Sequence, residues 1–153
     1  HFYYGIDGCS VPTPYLSLIT LAKLFQKLGS RKYPELSEAY RAMSKHPHLI
    51  GGHNRFDTDF SLAMKGKGVC KAGGEAIRGL VIQTNKYGLL SISLKVVDGN
   101  HRALDVATIS ILHHLDVLTK KENELLSKYV KNPIINHREI HTGEIIAEIL
   151  NNK

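Results

Sequence analysis

AIRGLVIQTNKYGLLSISLKVV, residues 76–97, is the stretch that decides the fold. Ile77, Leu80, Val81 and Ile82 lie on one side of Asn85-Lys86-Tyr87-Gly88, and Leu89, Leu90, Ile92, Leu94 and Val96 lie on the other. Apolar runs flanking turn-forming residues predict an antiparallel hairpin over about 77–97. Asp98-Gly99-Asn100 closes it and offers Asn100 as a helix cap. Downstream, Ala103, Val106, Ala107, Ile111, Leu115 and Leu118 recur at helical spacing, which predicts a helix over 101–118 packed on one face of the hairpin. A shorter helix is expected over about Lys121–Tyr129. Pro133 resets the chain, and Ile134–Leu150 reads as extended, with Gly143 as a bulge or bend.

Upstream of the hairpin the period is helical. Phe2–Ile6 reads as a short strand. Pro12-Thr13-Pro14 breaks regular structure and offers Thr13 as an N-cap with Pro14 at the first helical position. Leu18, Leu21, Ala22, Phe25 and Leu28 then predict a helix that Gly29 stops. Pro34 to about Lys45 predicts a second helix, with Leu36, Ala39, Tyr40 and Met43 on one face and His46-Pro47 at its end. Phe60–Met64 predicts a third, shorter one. No repeat, linker or low-complexity segment interrupts the chain. The expected class is α+β, an α/β sandwich with an antiparallel sheet and packed helices, in a single domain over residues 1–153.

Composition excludes several functions. Hydrophobic residues at 42% and charged residues at 22% are ordinary globular values, so disorder is excluded. Lys and Arg total 20 against 14 Asp and Glu, a net charge of +6, but the excess is scattered. The only adjacent basic pairs are Arg31-Lys32 and Lys120-Lys121, which argues against nucleic-acid or membrane binding. Two cysteines cannot build a disulfide scaffold. Neither a signal sequence nor an apolar run long enough for a membrane span is visible, so a cytoplasmic protein is expected. The chain opens with His1 and an apolar run, without an initiator Met, which suggests a fragment or a processed chain.

Three stretches have the residue types for chemistry. In GIDGCSVPTP (5–14), Asp7 and Cys9 are two apart and project to one side if extended, as a metal or polar amide site would require. The same residues also suit a plain turn in which Asp7 bonds its own backbone. In GKGVCKAGGE (66–75), Lys71 sits among glycines and could bind a carboxylate or act as a base, or be a solvated lysine in a tight loop. It is no P-loop, because the glycine spacing and the Lys-Ser/Thr ending are absent. Arg55, before Phe56-Asp57-Thr58-Asp59, could fork onto a substrate carboxylate or onto a neighbouring Asp. The nine histidines lack metal-ligand spacing; His46, His48, His53, His137 and His141 read as surface or packing residues. No serine is followed three residues later by a lysine, and no Gly-x-Ser-x-Gly occurs, so the chain shows no evident nucleophile.

Taken in order, GIDGCSVPTP (5–14), HPHLIGGHNRFDTDF (46–60), KAGGEAIRGL (71–80) and SLKVVDGNHRA (93–103) resemble the rhizobial-type, or class 3, L-asparaginases, also called asparaginase II. The resemblance covers nearly the whole chain. It implies a fold like the serine β-lactamases and penicillin-binding proteins, and hydrolysis of L-asparagine to L-aspartate and ammonia by a Ser-Lys arrangement. It also implies a homo-oligomer, a dimer, and a zinc ion near the active site of the complete enzyme. Carried over by motif, Cys9 matches a zinc ligand, Asp7 lies beside the site as a substrate-binding residue, Lys71 matches a lysine close to the nucleophile, and Arg55 matches the R-F-D-T block. Two departures matter. Ala76 replaces the last glycine of the K-x-G-A-E-G block. The Ser-x-x-Lys nucleophile, a second serine, and a further Cys and Lys at the zinc lie N-terminal to the G-x-D-G-C block in the family. The expectation is therefore the C-terminal portion, about half of the enzyme, metal-free and inactive by itself. The rival reading is a non-catalytic amino-acid-binding module that keeps Asp7, Arg55 and Lys71 for ligand charges.

Overall fold

The computed structural model describes residues 3–150. Strand β1 (Tyr4–Ile6) pairs antiparallel with β2 (Pro12–Pro14) in a short ribbon; Phe2, expected at the start of the first strand, lies outside the described residues. Prolines 12 and 14 therefore belong to a strand and do not start a helix. A two-stranded ribbon has open edges where a missing N–H costs nothing. The helix cap falls instead on Ser17, whose hydroxyl accepts from the Thr20 N–H at 3.3 Å, and α1 runs over Leu18–Ser30. Gly29 is not its stop. Arg31 takes the left-handed end position (φ 54°), while Gly29 is buried where a Cβ would stand 2.4 Å from Val81. That glycine serves close approach of helix to sheet.

Helix α2 (Pro34–Lys45) has the bounds the sequence predicts, with Pro34 at its first position. A one-turn helix α3 (Pro47–Gly51) follows. Helix α4 (Phe56–Met64) begins four residues earlier than its apolar spacing suggests, because Asp57 and Asp59 favour the positive N-terminal end. The glycine-flanked lysine stretch is a strand, β3 (Gly68–Gly73), and not a loop. Val69 and Cys70 are both buried but face opposite layers of the core, Lys71 is exposed, and the glycines lie at the strand's ends. Strands β4 (Ile77–Thr84) and β5 (Gly88–Lys95) form the expected hairpin, in register from Ile77↔Lys95 to Thr84↔Gly88. β3 pairs with β4 through Cys70↔Leu80 and Lys71↔Gly79, giving the antiparallel order β3-β4-β5.

After β5, the Asn100 side chain accepts from the Arg102 N–H at 3.0 Å, and a 3₁₀ turn (His101–Ala103) leads into α5 (Leu104–His114). The face of α5 turned to the core is offset from the expected stripe. Leu104, Val106, Thr108, Ile109 and Leu112 are buried, whereas Ala103, Ala107, Ile111, Leu115 and Leu118 are half-buried. Thr108 holds a core position because its hydroxyl is bonded to the Leu104 carbonyl at 2.7 Å. Helix α6 (Lys120–Leu126) starts from a capping box between Thr119 and Glu122. β6 (Asn132–Ile135) and β7 (His141–Ile145) close the chain as a second ribbon, irregular between Ile134 and Ile135, opposite Gly143 and His141.

The architecture is α+β, with helices on both faces of the three-stranded sheet. Phe56, Phe60, Met64, Cys70, Leu80, Ile82, Ile109, Leu112 and Leu126 form the larger core between the sheet and α4, α5 and α6. Val69, Val81 and Tyr40, with Phe25, Leu28, Met43 and Leu89, fill the opposite side under α1 and α2. The period of two along β3 and β4 sorts neighbours to opposite layers. Among the described residues no helix is long and apolar enough to cross a membrane.

Candidate active site

A cavity of about 430 Å³ opens where α3, α4, β3, β4 and the start of α5 meet. Its walls are Gly51, Arg55, Phe56, Asp57, Lys71, Ala72, Arg78, His101 and Asp105. Two of the four sequence-derived candidates, Arg55 and Lys71, share this cavity. Lys71 alternates outward from buried Cys70 and remains about half exposed. Its ammonium donates to the Ala72 carbonyl at 2.5 Å and lies 4.0 Å from Asp57 Oδ2. Arg55 is exposed on the rim, and among the described residues no ion pair engages its guanidinium.

The floor is ionic and buried. Asp57 is 6% exposed and Arg78 is 2% exposed. Arg78 Nη2 donates to Asp105 Oδ1 at 2.7 Å and stands 3.3 Å from Asp57 Oδ1, while Nη1 donates to Thr108 Oγ1 at 2.8 Å. The guanidinium lies over the Phe56 ring, 4.1 Å from its centre. One cation between two carboxylates is what allows these charges to stay buried, since an isolated one would be strongly penalised. Asp57 also accepts the Ala72 N–H through Oδ2 at 2.7 Å and the Cys70 thiol through Oδ1 at 3.4 Å. Burial pushes the Cys70 thiol well above its ordinary range, and the Asp57 charge adds to this. A thiol kept protonated is no nucleophile.

Sequence reasoning missed Asp57, Arg78, Asp105 and His101. Arg78 had a signal: it is the one charged residue inside the apolar run of β4. Asp57 had only its place in the quoted block.

Asp7 and Cys9 are elsewhere, on the β1–β2 ribbon, and do not line the cavity. Asp7 Oδ1 accepts the N–H groups of Cys9 at 2.8 Å and Val11 at 3.0 Å, and Oδ2 accepts the Thr13 hydroxyl at 3.0 Å. Those bonds, with Val11 and Cys9 foremost, hold its carboxyl below the usual carboxylate range. This is the turn geometry that the residue types allowed. The Cys9 thiol is exposed. Among the described residues no group of three or more His, Cys, Asp or Glu side chains is placed to hold a metal ion, and zinc sites take three or four such donors. Cys9 with its surroundings does not fit the zinc that the resemblance implies.

The departure at Ala76 has a visible consequence. Glu75 and Ala76 both have positive φ, 54° and 55°, in the connection from β3 to β4. Glycine adopts that conformation without cost, and Ala76 holds it while fully buried.

Comparison with known proteins agrees with the family resemblance. The model of one protein family, L-asparaginase II, matches residues 1–147. No curated protein matches the chain.

Proposed function

The chain belongs to the L-asparaginase II family, and from that premise we propose that it supplies one wall of an amidohydrolase site that converts L-asparagine and water to L-aspartate and ammonia. The observation that carries this reading is the placement of Lys71 and Arg55 on one cavity above the buried Asp57–Arg78 ion pair. A free guanidinium suits the α-carboxylate of an amino acid, which it can bind with two parallel hydrogen bonds. Asp105 is partly open and offers a negative charge for the α-ammonium. The amine of Lys71 would pass a proton between the attacking hydroxyl and the departing ammonia. The Ala72 N–H, bonded to Asp57, is not free to hold an oxyanion.

In this reading the nucleophile is a serine of a Ser-x-x-Lys segment outside residues 1–153, and the chain is the C-terminal portion of a penicillin-binding-protein-like enzyme. A cytoplasmic location and a homodimer belong to the same reading. Zinc in the complete enzyme would need Cys9 to be joined by donors from that other segment.

Ammonia release from L-asparagine tests it. Residues 1–153 alone should give none above the uncatalysed rate. A polypeptide that also carries the Ser-x-x-Lys segment should be active, and Lys71→Ala should lower its kcat about 10²- to 10⁴-fold, the usual worth of a general acid–base group. Turnover by residues 1–153 alone, abolished by Cys9→Ala or Cys70→Ala, would refute the assignment. Binding of L-asparagine without turnover in any form would favour the amino-acid-binding module.

A further inference from the structure

We propose that Asp57 is the positioning residue of Lys71, the fixed charge that holds the lysine amine at the cavity; the proposal rests on the reading of Lys71 as the site's working amine. A single carboxylate engages three consecutive residues of β3. It accepts the Cys70 thiol at 3.4 Å and the Ala72 N–H at 2.7 Å, and it faces the Lys71 ammonium at 4.0 Å. Through Asp57, the first turn of α4 is tied to the strand that presents the lysine.

Which of the two charges follows the other is set by their surroundings. Asp57 is buried and fixed by Arg78, and Arg78 is fixed in turn by Asp105, Thr108 and the Phe56 ring. The Lys71 side chain is half exposed and sits on a flexible four-carbon stem with many accessible rotamers. The mobile ammonium therefore adapts to the immobile carboxylate. The Ala72 carbonyl supplies the second anchor at 2.5 Å. Together they set the amine at the cavity wall before any substrate arrives, and a nucleophile or base gains rate from such prior placement.

A purely structural role is the competing account, in which Asp57 serves only to accept the Ala72 N–H and tie strand to helix. Asp57→Asn separates the two, because the amide oxygen still accepts that N–H while the charge is gone. The probe is an amine-acylating N-hydroxysuccinimide ester, with acylation at Lys71 measured by peptide mass spectrometry relative to Lys23 and Lys45 in the same chain. Asp57→Asn should raise the relative rate at Lys71 about threefold, the scale of one partly exposed ion pair. A rate within about 1.5-fold of wild type, in a variant that melts like wild type, would overturn the proposal.

Ionic strength provides a second measurement on the unaltered chain. Raising salt from about 0.05 M to about 1 M shortens the screening length from over ten ångströms to about three. With Asp57 buried, the pair is screened only from the lysine's side, so relative acylation at Lys71 should rise, but by less than in Asp57→Asn. An unchanged value would overturn the proposal even if the variant does not fold. In the ammonia assay, Asp57→Asn should lower kcat with KM kept within about twofold; a change confined to KM would count against positioning. If Lys71→Ala leaves turnover intact, the catalytic reading of Lys71 fails, and the acylation result still decides what Asp57 does to the amine.

Discussion

Phe25 occupies the space that a side chain at Gly79 would need: a Cβ on Gly79 would stand 2.0 Å from Phe25 Cε2. Helix α1 thus reaches the sheet at a residue without a side chain, on the strand position that pairs with Lys71. Gly79→Ala should destabilise the fold by about 1–3 kcal/mol through overpacking, seen as a lower urea midpoint at unchanged slope. Combined with Phe25→Ala, the loss should be smaller than the sum of the single losses, because the ring that causes the clash is gone. Full additivity would mean that the two residues do not share this space.

Ala76→Gly sets three terms against one another. Removing the Cβ that is strained at positive φ relieves about 1–2 kcal/mol, the freer unfolded chain takes back about 0.5–1, and the lost buried methyl removes about 0.8. The expected result is a stability within about 1 kcal/mol of wild type by urea unfolding. Ala76→Val should be far worse, since a β-branched side chain tolerates positive φ poorly.

Glu122 links α6 to the start of β3. Its Oε1 lies 2.5 Å from Lys67 Nζ, and its Oε2 accepts the Thr119 N–H at 2.8 Å. Burial pushes its pKa up, but the bonds to Lys67 and Thr119 outweigh this and leave it lowered. A carboxylate lowered in the folded state adds stability that is present above its unfolded value of about 4.3 and lost as pH falls through the folded value. The melting temperature of Glu122→Gln should therefore lie below wild type at pH 7, and the gap should close on acidification below about pH 4. A gap independent of pH would show that the charge contributes nothing.

Elemental analysis of the purified chain should find zinc well below one equivalent, because an exposed thiol by itself does not make a zinc site. Stoichiometric zinc that disappears in Cys9→Ala would show that further ligands converge on the ribbon.

The hairpin and α2 were legible because each follows from a local rule: turn residues between apolar runs, and a proline at a helix start. Gly29 was misread because a glycine near a helix end has two uses, and only the neighbouring Val81 tells them apart. The core face of α5 was displaced because Thr108 looks polar until its hydroxyl finds the Leu104 carbonyl. Of the site, Lys71 and Arg55 could be named from motif order. Asp57, Arg78 and Asp105 could not, since the link among them spans 27 residues between Arg78 and Asp105 and exists only after β4 and α5 have packed. The period of β3 was hidden by its flanking glycines, which resemble loop composition.

The alternation of Cys70 and Lys71 also determines how this region can change in length. A strand counts in twos, so a one-residue deletion between Gly68 and Cys70 with register kept at Ala72 would leave the lysine in place and shift only what precedes it. The same deletion between Lys71 and Gly73, which removes Ala72, with register kept at Gly68, would turn every later residue over and put Gly73 on the face that Ala72 held. Codons gained or lost here therefore act on the face a residue presents before they act on loop length, and which side of Lys71 they fall on decides what is turned over.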